Sequence, residues 1–159
     1  MNFDLKTLDL SAAASEKCDL LIVLLPEGFK PGKDPLSALA ALAIKNGDLA
    51  LKAGKNLQVY QPPAVAARRV VLAGAGDGSA RAVRQALLAV GGAVKAPQTK
   101  RMVLCFAGIA QANAVGAAVQ AVAEASYVYT TTKSKVDARS LSRCVVGVPG
   151  VAEVRAAFD

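Results

Sequence analysis

The chain has 159 residues, 53% of them hydrophobic, a mean hydropathy of +0.36 and a formal net charge of +7 without a single histidine. That is enough apolar material for the core of one domain and too much for a disordered chain. The missing imidazole excludes Ser-His-Asp and Cys-His nucleophilic catalysis and His-ligated zinc.

Residues 3–10 alternate apolar and polar side chains and read as a half-exposed edge strand. Residues 18–25, CDLLIVLL, are continuously apolar, as expected of a central strand buried on both faces. A Gly/Pro loop spans 26–35. Asp34 can then cap a helix with Pro35 in its first turn, carrying Leu36, Leu39, Ala40, Ala43 and Ile44 at helical spacing and ending at Asn46-Gly47. A short strand is expected over 57–61, stopped by Pro62-Pro63, and a buried strand over 69–73. Gly74 to Ser79 read as a glycine loop opening a helix over 80–93. A fourth strong strand follows at 101–107, then an Ala-rich helix over 113–132. Residues 133–142 form a polar connector before a last strand at 143–148 and a helix-like segment at 151–158. Strands alternating with helices give an α/β class: a three-layer α/β/α domain with a largely parallel mixed sheet. One domain is expected over 1–150, with 151–159 as the start of a connection to a further domain.

The motifs are sparse. GAGDGS at 74–79 could turn backbone N–H groups toward a phosphate at a helix start. It departs from the dinucleotide fingerprint, because Ser79 stands where the third glycine belongs, Asp77 repels phosphate, and no ribose-binding acid follows. The plainer reading is a tight turn capped by Ser79 or Asp77. Cys18, Cys105 and Cys144 are odd in number and widely spaced, as expected of reduced, buried thiols in a cytosolic protein. The carboxylates are scattered, with no pair suited to a metal site or a glycosidase dyad. No basic and apolar leader opens the chain, and its longest strongly apolar run, 20–25, is too short to span a bilayer.

Charge is uneven: residues 80–159 hold ten Lys/Arg against four Asp/Glu. Arg68-Arg69 and Lys100-Arg101 stand at strand starts, which a parallel sheet brings to one end. Lys133, Lys135, Arg139 and Arg143 lie in or beside the connector and are the candidate contacts for nucleic acid or a partner. A solvated basic face is the simpler account of the same residues.

The order of CDLLIVLLP, KNGDLALKAGKNLQVY, ARRVVLAGAGDG, RAVRQALLAVGGAV, SYVYTTTKSK and RCVVGVP resembles the N-terminal domain of the leucyl (cytosol) aminopeptidase family over nearly the whole chain. The resemblance implies a macrodomain-like fold. It also implies a parent enzyme that releases N-terminal amino acids from peptides with two divalent metal ions, zinc or manganese, as a cytoplasmic homohexamer. In that family the metal ligands and catalytic residues lie in a C-terminal domain around an NTDAEGR-type motif, which this chain lacks. No catalytic, cofactor-binding or metal-binding residue is therefore expected here. The expected function is a non-catalytic assembly or regulatory domain joined to its own C-terminal catalytic domain. Some bacterial members bind DNA, which the basic second half permits. A stand-alone nucleotide- or ADP-ribose-binding module and a DNA-binding accessory domain are the alternatives.

Overall fold

A computed structural model of the chain describes residues 2–7, 10–27, 29, 34–47, 49–52, 54–60, 65–77, 79–90, 100–107, 112–126 and 143–148. The strands among them are β1 (Asn2–Thr7), β2 (Leu20–Pro26), β3 (Asn56–Tyr60), β4 (Arg69–Gly76), β5 (Arg101–Phe106) and β6 (Arg143–Val148). They form one sheet in the order β1-β6-β5-β2-β4-β3, in which only β3 runs antiparallel. The helices are α1 (Leu10–Ala14), α2 (Pro35–Lys45), α3 (Ala80–Ala89) and α4 (Ala112–Ser126).

β2 is the axis of the molecule. It lies between β4 and β5, and Leu20 through Leu25 are all buried. Alternation splits it between two cores. Leu20, Ile22 and Leu24 join Val83, Leu87, Val115 and Val122 under α3 and α4. Leu21, Val23 and Leu25 join Ala13, Leu36 and Ala40 under α1 and α2. Each such Leu, Ile or Val gains about 1.5–3 kcal/mol from burial. The continuous apolar run in the sequence thus has its physical cause: helices cover the sheet on both sides. Ala114, Ala118 and Ala121 of α4 are buried in that core, where α4 packs closely against α3, and an exposed Arg84–Glu124 pair at 2.7 Å bridges α3 and α4.

α2 begins as its sequence requires. The Asp34 carboxylate accepts hydrogen bonds from the Ser37 amide at 2.9 Å and the Ser37 hydroxyl at 2.6 Å, and Pro35 follows. Asn46 caps the other end, followed by Gly47 at φ +78°.

Three expectations are corrected. The strand expected over 3–10 stops at Thr7, and the short helix α1 follows; five residues are too few to show a helical period. The helix expected over 80–93 is helical to Ala89. Gly74 to Gly76 belong to β4 rather than to a loop, for residues 50–52 and Lys55 lie beside them. The Gly74 amide donates to Lys55 O at 2.7 Å and the Gly76 amide to Leu51 O at 2.9 Å. Residues 127–132 of the expected Ala-rich helix, the connector at 133–142 and residues 151–159 lie outside the described residues.

Candidate functional site

The structure brings the basic strand starts together at the amino end of the sheet. Leu20 is opposite both Arg69 and Met102, and Arg101 is opposite Arg143. Arg101 and Arg143 are therefore the first residues of β5 and β6, and Arg68 immediately precedes β4 at about the same level. Of the four candidate contacts, Arg143 is placed there, exposed, as the first residue of β6. Lys133, Lys135 and Arg139 lie outside the described residues.

Asp19 organises this end. Its carboxylate Oδ2 accepts hydrogen bonds from the amides of Lys100 at 3.0 Å and Arg101 at 3.1 Å. The Asp19 amide in turn donates to Arg101 O at 3.0 Å, and the Arg68 amide to Cys18 O at 3.1 Å. Burial alone pushes the Asp19 carboxyl up. The amides of Arg101 and Lys100, with the charges of Arg68 and Lys100, outweigh it and hold the group below the usual carboxylate range. Beside it opens a cleft of ≈ 390 Å³ lined by Lys17, Cys18, Asp19, Ala66, Arg68 and Arg101. Sequence reasoning found Arg68 and Arg101 but missed Lys17 and Asp19. The one available signal was a lone carboxylate at the threshold of an apolar strand.

The glycine segment is less of a site than its sequence suggests. Ser79 caps α3, accepting from the Ala82 amide at 3.3 Å, while Asp77 accepts from the Ser79 amide at 3.0 Å. These bonds from Ser79 hold Asp77 below the usual carboxylate range. An amide that could have met a phosphate is thus occupied by a carboxylate, as in the capped-turn reading.

The thiols are buried and dispersed. Cys18 and Cys105 lie in the core under α1 and α2, and Cys144 in the core under α3 and α4. Burial pushes the Cys18 thiol up to about 12, so it is neither a nucleophile nor a thiolate ligand at neutral pH. Among the described residues no three His, Cys, Asp or Glu side chains gather as a metal site would require. Two divalent ions do not fit this donor set. No helix among the described residues is long and apolar enough to cross a membrane.

A family model described as the N-terminal domain of the cytosol aminopeptidase family matches residues 11–136. A probable cytosol aminopeptidase of Verminephrobacter eiseniae (strain EF01-2) is 74% identical over 159 residues, covering 100% of this chain and 31% of the relative. A second, from Acidovorax sp. (strain JS42), is 55% identical over 158 residues, covering 99% of this chain and 32% of the relative. The chain thus spans about a third of the length of these relatives. Among solved structures, a tomato leucine aminopeptidase mutant superposes with a TM-score of 0.73 at 16% identity, over 99% of this chain and 35% of that one. The bottromycin maturation enzyme BotP in complex with Mn superposes with a TM-score of 0.59 at 19% identity, over 89% of this chain and 29% of that one. These two likenesses are of fold.

Proposed function

Since the chain belongs to the cytosol aminopeptidase family and is its N-terminal domain, we propose that it serves as the non-catalytic, assembly-supporting part of a longer cytoplasmic aminopeptidase. The observation that carries this reading is the match along the whole chain to relatives about three times as long. In this proposal residues 1–150 form the domain and 151–159 begin the connection to a C-terminal catalytic domain. That second domain holds two zinc or manganese ions and removes N-terminal amino acids from peptides, and the whole assembles as a homohexamer. The metal supplies Lewis-acid activation of water there. In this chain two helical layers cover the sheet, Asp34 and Asp77 serve at helix starts, Asp19 at a strand entry, and the three thiols are buried in the cores. The manganese named with BotP supports the metal reading for the parent.

The test has two arms. The 159-residue chain, incubated with manganese or zinc and leucine p-nitroanilide, is expected to give no turnover. The same chain fused to the remaining two-thirds of the Verminephrobacter relative is expected to give turnover and a hexamer by light scattering. Turnover by the chain alone, or a fusion that stays inactive and monomeric, counts against the proposal.

DNA contact by the basic second half is a further part of the proposal, supported by the exposed cations Lys100, Arg101 and Arg143 on one edge. Affinity for a duplex should fall steeply with salt, and replacing Lys133, Lys135, Arg139 and Arg143 together by Ala should weaken it. Unchanged affinity removes that surface.

A further inference from the structure

The cations at the amino end of the sheet form a row on one face. Val70 of β4, Leu21 of β2, Val103 of β5 and Val145 of β6 all point into the core under α1 and α2. Two positions earlier in the chain stand Arg68 and Asp19, just ahead of β4 and β2, and Arg101 and Arg143, which open β5 and β6; Arg68, Asp19 and Arg101 share one cleft with Cys18 of that core. With neighbouring strands ~4.8 Å apart, the row from Arg68 to Arg143 is roughly 14 Å long.

Asp19 offsets part of this positive charge, through Arg68 and Lys100, but not all of it. Arg101 and Arg143 are directly opposite one another on parallel neighbours, and like charges so placed are unfavourable. Asp19 is the one carboxylate in the row, and its Oδ2 already accepts two amides. Lys17 adds a further exposed cation at the cleft. Among the described residues the cleft walls therefore carry three cations and one engaged carboxylate.

We propose that the cleft lined by Lys17, Asp19, Arg68 and Arg101 binds a small multivalent anion, with phosphate or carboxylate groups as the recognised chemistry. Guanidinium forks on two strands flanking β2 suit oxyanions, which they can hold through paired N–H donors. The ≈ 390 Å³ volume falls in the range of small-ligand sites, and the three cations among the described lining residues suit recognition by charge. The site is independent of the aminopeptidase reading: neither requires the other.

Calorimetric titration of the 159-residue chain at low salt tests it, with pyrophosphate in one arm and citrate in the other. Saturable binding is expected in at least one arm, and the tighter arm identifies the preferred group. Arg68→Ala and Arg101→Ala should each weaken binding about 10-fold or more, as loss of a charge-assisted pair does. Lys45→Ala and Arg81→Ala, which remove exposed cations from α2 and α3, should leave it unchanged. Protection from phenylglyoxal gives a reading without variants: pyrophosphate or citrate, whichever binds, should slow modification of Arg68 and Arg101 relative to Arg81. No binding in either arm, equal weakening by all four variants, or equal modification rates overturns the proposal.

Discussion

Asp19 ties the start of β2 to the start of β5 through one carboxylate. Its Oδ2 fixes the amides at Lys100 and Arg101, and its own amide closes the ladder to β5. Replacing it by Ala removes two charge-assisted hydrogen bonds whose amides water can still reach, and the expected loss is about 1 kcal/mol at pH 7. The folded carboxyl titrates below its usual value, so its contribution is complete above the unfolded value of ~3.9 and disappears as pH falls through the folded one. Urea midpoints of the wild type and Asp19→Ala should therefore differ at pH 7 and converge in acid. A gap that stays constant down to the lowest pH would show that the ionised carboxylate is not what stabilises this end. Asp34 acts at a comparable scale on α2, where Asp34→Ala removes both bonds to Ser37. About 0.5–2 kcal/mol of stability should go with it, read from the thermal midpoint.

At the scale of elements, β4 depends on having no side chain at Gly74. A Cβ there would meet the backbone oxygens of Lys52 and Ala50, the latter at 2.8 Å, and backbone cannot swing aside as a side chain can. Gly74→Ala should cost on the order of 3 kcal/mol, because residues 50–52 and Lys55 must leave the strand and give up their amide bonds. Gly47 is the contrast: it lies at φ +78° with nothing within 4 Å of a built Cβ. Gly47→Ala should cost only the left-handed penalty of about 1–2 kcal/mol. Denaturant midpoints that rank the two the other way would contradict the packing described here. The same strand shows what a sequence discloses. The run at 20–25 and the Asp34-Pro35 start were legible because burial on two faces and capping leave local residue signatures. The layered α/β class, the edge position of β1 and the gathering of Arg68 with Arg101 followed from the alternation of strands and helices. Gly74 to Gly76 looked like a loop because the reason for those glycines is residues 50–52 and Lys55, whose approach is a tertiary event. α1 was too short for a period, and the Asp19 cleft depends on amides 81 and 82 residues away in the chain.

The whole molecule is organised so that neither core can exist without the other. β2 sends alternate side chains into both, and each helical layer covers a face of the same sheet. Loss of α1 and α2 would expose Leu21, Val23 and Leu25, and the strand could not stay in register for Ile22 and Leu24 on the opposite side. Unfolding should therefore be a single transition. The cysteines report on both cores independently: Cys18 lies in one and Cys144 in the other, both buried. Cys18 touches the cleft, but burial pushes its thiol up to about 12, so no reactive thiolate is available for labelling in the native fold. With a thiol reagent in mild denaturant, under conditions where labelling outpaces refolding, mass spectrometry of the peptides should find Cys18 and Cys144 modified at one common rate. Leu36→Ala under α2 and Leu87→Ala under α3, each truncating a fully buried side chain at a cost of about 2–5 kcal/mol, should accelerate both sites together. If Leu36→Ala accelerated Cys18 alone, the layer of α1 and α2 would be opening by itself, and the two cores would be separate cooperative units despite their shared strand.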